Sequence, residues 1–172
     1  YFFLNSDDNA VVNDSDRDAL ICLPTADVPT GDPLEPLWRS ANLVELVTGS
    51  PTGNSLYAAL PAWDDPTLYW VLFSGGWSRE GHLVTLTQPA YLAMVRITPD
   101  PDAQDGATTE LVHAMELPDQ WNNNTFAVDE TGCYIVTNGV TAEGVSNAGA
   151  LYAMAFNPAS GQIEPRWTYE YQ

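Results

Sequence analysis

Lysine is missing from this 172-residue chain, and five arginines (Arg17, Arg39, Arg79, Arg96 and Arg166) stand against 23 acidic residues. The net charge of −18 at pH 7 leaves no positive footprint, which nucleic-acid backbones and anionic lipid surfaces both require. Nucleic acid and membrane insertion are therefore not expected. The acidity fits either a secreted protein kept soluble by charge or adaptation to high salt. No apolar run approaches the roughly 20 residues that span a bilayer, and no signal peptide opens the chain. The first residue is Tyr rather than Met and lies in a strand-like run, so processing or an upstream start is expected. Cysteine is scarce too: Cys22 and Cys133 are too widely separated for a metal knuckle, which leaves open one disulfide or two buried free thiols. Helical periodicity is equally hard to find.

What is present argues for a folded, turn-rich chain. Hydrophobic residues make up 45%, with 13 Pro, 12 Gly, 6 Trp, 8 Tyr and 5 Phe, too apolar and aromatic for disorder. The stretches Tyr69 to Phe73 and Tyr91 to Ile97 are apolar runs bounded by Pro, Gly, Asp and Asn, the signature of short strands.

Internal repeats organise these strands. Asp129-Glu130-Thr131-Gly132-Cys133-Tyr134-Ile135-Val136 falls on Asp64-Asp65-Pro66-Thr67-Leu68-Tyr69-Trp70-Val71 with a shift of 65, and Ala127 then falls on Ala62. A third copy enters at Tyr1 to Ser6, which matches Tyr134 to Gly139. Downstream of each lies an apolar strand: Ala19 to Cys22, Tyr91 to Met94, Ala150 to Met154. A turn closed by Thr30-Gly31, Asp105-Gly106 or Ser160-Gly161 follows, and then Glu35 to Trp38, Glu110 to His113 and Glu164 to Trp167. Each repeat thus holds four strands. The second strands are apolar at successive positions, which demands cover on both faces. Repeats of four strands and this length fit propeller blades.

The run Ala150-Leu151-Tyr152-Ala153-Met154-Ala155-Phe156-Asn157-Pro158-Ala159-Ser160-Gly161, with Trp167 beyond it, resembles the repeat of pyrroloquinoline-quinone-type β-propellers. In that family a Leu-Tyr-Ala strand leads to a Thr-Gly turn and a Trp packs against the next blade. Ala127 to Gly132 is similar to the family's inner hairpin. The middle repeat departs, with His113 in place of Trp and Asp105-Gly106 in place of Thr-Gly. The resemblance implies an all-β partial propeller of about two and a half to three four-stranded blades, with blade parts 1–43, 55–118 and 124–172. It also implies an interblade packing role for Trp38, His113 and Trp167. Such rings usually hold more blades, so the remainder is expected from further sequence or from another chain.

Few residues point to chemistry. A quinoprotein dehydrogenase is expected to show an adjacent cysteine pair and a Ca²⁺ site beside a catalytic Asp, and neither can be matched here. No cofactor is predicted. Asp14, Asp16 and Asp18 alternate as Ca²⁺ ligands do, although Ala19 stands where an EF-type loop wants Gly; a solvated hairpin tip is the plainer reading. Asp100, Asp102 and Asp105 form a looser set of the same kind. No Gly-x-Ser-x-Gly elbow accompanies the two histidines. His82 follows the Gly-rich connection Gly75 to Gly81, where Trp77 and Arg79 could form a recognition loop. Asn13 and Asn123 open glycosylation triplets, expected in loops. The function expected is a non-catalytic propeller scaffold or binding module, extracellular or at the cell surface, that mediates protein or ligand contacts. A halophile's cytoplasm is the alternative location. The alternative functions are part of a quinoprotein-like oxidoreductase or other propeller enzyme centred in other blades, and a subunit of a larger fibre or self-assembly.

Overall fold

The computed structural model describes residues 18–24, 35–51, 53–80, 83–117, 120–141, 144–145 and 149–171. Within it the run Leu68-Tyr69-Trp70-Val71-Leu72-Phe73 forms a strand whose six side chains are all buried. A strand exposed on one face would alternate; this one must be covered on both. Its odd-numbered side chains, Tyr69, Val71 and Phe73, join Ala93, Val95 and Ile97 in one cluster with Leu20, Cys22, Trp38, Leu43 and Val44. Its even-numbered side chains, Leu68, Trp70 and Leu72, join Leu92 and Met94 in another with Cys133, Ile135, Met154 and Ile163. Each fully buried large side chain contributes about 1.5–3 kcal/mol, so this strand is the centre of the molecule's stability.

Three layers result. The first holds β1 (Ile21–Cys22), β2 (Trp38–Arg39) and a short helix α1 (Leu43–Thr48). The central sheet is β3 (Ser55–Pro61), β4 (Leu68–Ser74), β7 (Ala90–Pro99) and β8 (Ala107–Leu117), in the order β3-β4-β7-β8 and antiparallel throughout. A two-stranded hairpin, β5 (Gly76–Glu80) and β6 (Leu83–Gln88), is inserted between β4 and β7. The end sheet repeats the plan with β9 (Gln120–Asp129), β10 (Gly132–Thr141), β12 (Gly149–Asn157) and β13 (Gln162–Tyr171). Its own insertion, β11 (Gly144–Val145), again falls between the second and third strands and pairs with the end of β10. The chain is therefore all-β with antiparallel four-stranded repeats, and among the described residues no sheet closes on itself.

The two full repeats agree in detail, but one residue out of the register that the letters suggest. In the first, Asp65 Oδ1 accepts from the Thr67 N–H at 2.9 Å and its hydroxyl at 2.7 Å. In the second, Asp129 Oδ1 accepts from the Thr131 N–H at 2.7 Å and its hydroxyl at 2.6 Å. Superposing these turns needs a shift of 64, not 65. A one-residue slip turns every side chain to the opposite face, so Tyr69 corresponds to Cys133 and Val71 to Ile135, all facing the preceding layer. Matching Tyr69 to Tyr134 would instead pair a residue facing backward with one facing forward. Both outer strands also carry a bulge at the same place. The register shifts between Met94 and Val95 opposite β8, and between Ala153 and Met154 opposite β13.

The first layer is tied to the central sheet by backbone and capping bonds. Ala41 N–H donates to Thr109 Oγ1 of β8 at 2.9 Å, and Arg39 N–H donates to the Asp105 carbonyl at 2.8 Å. Gly106 has φ +72, and a Cβ there would stand 2.8 Å from the Leu37 carbonyl oxygen. Glycine is therefore required where the β7–β8 turn tucks against the first layer. Helix α1 is capped by Asn42, whose side chain accepts from the Glu45 N–H at 2.9 Å, and ends at Gly49 in the left-handed region. Such caps satisfy the orphan groups of a helix too short to stand alone.

Candidate functional site

Cross-strand registers place Trp38, His113 and Trp167 at one position of successive layers. Trp38 pairs with Cys22, His113 with Met94 and Trp167 with Ala153, the last two immediately before the bulge. Each faces away from the preceding layer and toward whatever follows. Trp38 is buried against the central sheet. His113 meets the end sheet, where its Nδ1 accepts the Ile163 N–H at 3.2 Å. That bond puts the neutral ring's proton on Nε2. Among the described residues no sheet stands in front of Trp167: it is 44% exposed, and its ring lies 6.2 Å from that of Tyr134. The described end sheet thus presents an open aromatic face, extended by Tyr169 at 63% exposure.

At the turn end of the sheets, two clefts occupy equivalent places between successive layers. The first, about 610 Å³, is apolar: Cys22, Trp38, Tyr69 and Ile97 line it with Pro61, Pro66, Pro99 and Pro101. The second, about 420 Å³, lies between the central and end sheets and is lined by Trp63, Trp70, Phe156 and Pro158 with Asp64, Asp65, Asp129 and Glu130. Arg96 balances part of that charge, its Nη1 pairing with Asp65 Oδ2 at 3.0 Å. The Thr67 hydroxyl is the first cause holding the Asp65 carboxyl below its ordinary value, and the Thr67 N–H and Arg96 add to it against a raising effect of burial. Asp129 is lowered in the same way, first by the Thr131 hydroxyl and then by its N–H. Both carboxylates are turn anchors, fully ionised near neutrality.

Reactive chemistry finds little support in these groups. Burial pushes up the Cys22 thiol in the apolar cleft, and Cys133, buried in the core, is pushed up far more strongly. A protonated thiol is a poor nucleophile. Both cysteines are free, which resolves the choice left by their spacing. Among the described residues no three His, Cys, Asp or Glu side chains converge as metal ligands.

The remaining residues singled out by sequence are dispersed. Asp14, Asp16, Asn13 and His82 lie outside the described residues. Asp18 is 6% exposed and turned inward; it sits at φ +52, and its Oδ1 accepts the Leu56 N–H at 2.8 Å. Aspartate tolerates that left-handed backbone better than most residues. Asp100 accepts from the Asp102 N–H at 3.0 Å, a local turn. The connection carrying Trp77 and Arg79 is a β-hairpin, with Trp77 opposite Leu86 and Arg79 opposite Val84. It lies beside β11 and β10, so the insertions of both sheets gather at one end. Asn123 stands within β9, opposite Thr137, rather than in a loop.

Sequence reasoning missed the cleft residues Trp63 and Arg96 and the open-face residues Tyr134 and Tyr169. The second pair was within reach. Once the Asp-x-Thr turns are aligned instead of the tyrosines, the even positions of β10 and, beyond the bulge, the odd positions Trp167 and Tyr169 of β13 fall on the face turned away from the core. Comparison with family models, curated proteins and solved structures finds no match to this chain.

Proposed function

We propose that the chain is part of a β-propeller that works as a non-catalytic binding scaffold, meeting its partners through sheet faces and insertion loops. The observation that carries this reading is directional stacking. Cys22 with Trp38, Met94 with His113, and Ala153 with Trp167 repeat one position through three layers, each turned the same way. A sandwich turns two inner faces toward each other; a rotating stack always turns the same face forward. The resemblance of the last repeat to pyrroloquinoline-quinone-type propellers agrees with this. The raised thiols and the turn-anchoring carboxylates support binding over catalysis.

An experimental structure of the intact protein tests the architecture. Successive sheets are expected to be related by one rotation of about 45–90° about a common axis, as in rings of four to eight blades. Sheets with no common axis would refute it. The purified protein is expected to lack quinone absorbance, and a stoichiometric bound quinone would overturn the non-catalytic part.

A further inference from the structure

We propose that the cleft between the central and end sheets binds an organic cation, a guanidinium or alkylammonium head on an apolar stem such as an arginine or lysine side chain carries. The inference rests on the reading of the chain as a binding scaffold and names the ligand chemistry of one site on it. The turn that builds the site is the first support. Ala62 N–H donates to the Leu68 carbonyl at 2.7 Å, and five residues, Trp63 to Thr67, lie between them. The end sheet makes the corresponding turn with two, Glu130 and Thr131, between the paired Asp129 and Gly132. The longer turn is pinned by β7: Arg96 Nη1 donates to Asp65 Oδ2 and to Thr67 Oγ1, both at 3.0 Å. Held this way, it presents Trp63 at the cleft with 68% of its surface open. Neither hydrophobic cluster of the core includes that side chain, so core packing does not account for an indole at this place.

The lining is the second support. Four carboxylates, of Asp64, Asp65, Asp129 and Glu130, stand in the cleft against the guanidinium of Arg96. Asp65 is engaged by Arg96 and Thr67, and Asp129 by Thr131. Among the described residues, Asp64 and Glu130 have no such partner. These carboxylates select the sign of a ligand, and the walls select its kind. Trp70 and Phe156 line the cleft with Trp63, and aromatic faces attract organic cations through the ring quadrupole. A bare metal ion fits poorly, because among the described residues no three His, Cys, Asp or Glu side chains converge as metal ligands. Carboxylates set apart around aromatic surface suit a larger cation, weakly hydrated and carried on an apolar stem. The volume of about 420 Å³ falls within the range of about 300–1,000 Å³ usual for ligand clefts. The equivalent cleft one layer back has Pro66 where this one has Glu130, so the fold itself does not dictate the acidic lining.

Isothermal titration calorimetry on the intact protein provides the test, at physiological ionic strength, where diffuse attraction is screened beyond about 8 Å. The probes are an end-blocked alanine pentapeptide with a central arginine, the same peptide with lysine, end-blocked arginine alone, and the pentapeptide with citrulline, the neutral isostere of arginine. Both basic peptides are expected to bind, and the citrulline peptide about tenfold more weakly or less. Trp63→Ala should weaken the arginine peptide about threefold to thirtyfold. Asp64→Asn combined with Glu130→Gln should weaken it about threefold or more, while Glu170→Gln, which removes an exposed carboxylate outside the cleft lining, leaves it within about twofold of the parent. Trp63 and both substituted carboxylates are exposed, so these variants are expected to fold, which far-ultraviolet circular dichroism checks. A pentapeptide that binds more tightly than the blocked amino acid makes the ligand a segment of a partner protein; equal affinity makes it a small free cation, and either result sustains the site. No heat with any basic probe, equal binding of the citrulline peptide, an affinity unchanged by Trp63→Ala, or one lowered as much by Glu170→Gln would overturn it. Such a failure removes this site alone, whereas the scaffold reading fails on a bound quinone or on sheets with no common axis.

Discussion

At the scale of single residues, the repeated Asp-x-Thr turns carry the clearest pH signature. The Asp65 carboxyl lies below the ordinary 3.8, so in the window beneath that value the folded state holds fewer protons than the unfolded chain. Its contribution to stability is complete above 3.8 and is lost as pH falls through the folded value. Asp65→Asn should therefore lower the urea midpoint at neutral pH and converge on the parent at acid pH; a gap that persisted at acid pH would contradict this. Gly132 makes a different point. It sits at φ +135, and a Cβ there would run into the Met154 carbonyl of the neighbouring strand. Gly132→Ala should cost about 2 kcal/mol or more by chemical denaturation, since both the backbone and the strand spacing must give. A stability within a few tenths of the parent would show that the turn relaxes freely.

Among elements, the contact between β8 and β13 is where the two full repeats are joined by a side chain. His113→Ala would leave the Ile163 N–H, on a residue 6% exposed, without its acceptor. The expected loss is about 1–3 kcal/mol, read as a lower unfolding midpoint together with faster exchange of the Ile163 amide. If that amide exchanges at the parent rate, His113 is filler and no more. The same comparison shows how far sequence reasoning reaches. Four strands per repeat and the doubly covered β4 were legible, because an unbroken apolar run between turn signals has few other physical solutions. The equivalence of His113 and Trp167 was legible from the counting of turn to strand. Facing was not, because a match of tyrosine to tyrosine is blind to the pleat, and the alternation that would have corrected it is absent from a strand buried on both sides. The hairpin of Trp77 and Arg79 was hidden for another reason: its glycines read as a loop, while its pairing partners lie in the next segment, beyond the reach of local composition. The clefts depend on which turns meet across layers, and no single repeat contains that information.

For the whole molecule, charge sets the environment. With −18 on 172 residues, self-repulsion opposes compaction and is screened as the Debye length falls to about 8 Å at physiological ionic strength. Thermal unfolding is expected to shift to higher temperature as salt is raised from low to physiological strength; a Tm independent of salt would mean that the acidic groups are too dispersed to matter. The bulges at the ends of both four-stranded sheets have a consequence for how such a molecule grows. An unbroken outer strand offers a row of amides and carbonyls on which any extended chain can crystallise. In β13 the bulge interrupts that row, with Pro165, which has no N–H, opposite Met154 and Arg166 beside it. The rim is thereby blunted against amyloid-like recruitment, and further sheets can add only broadside, as pages are added to a book rather than threads to its hem.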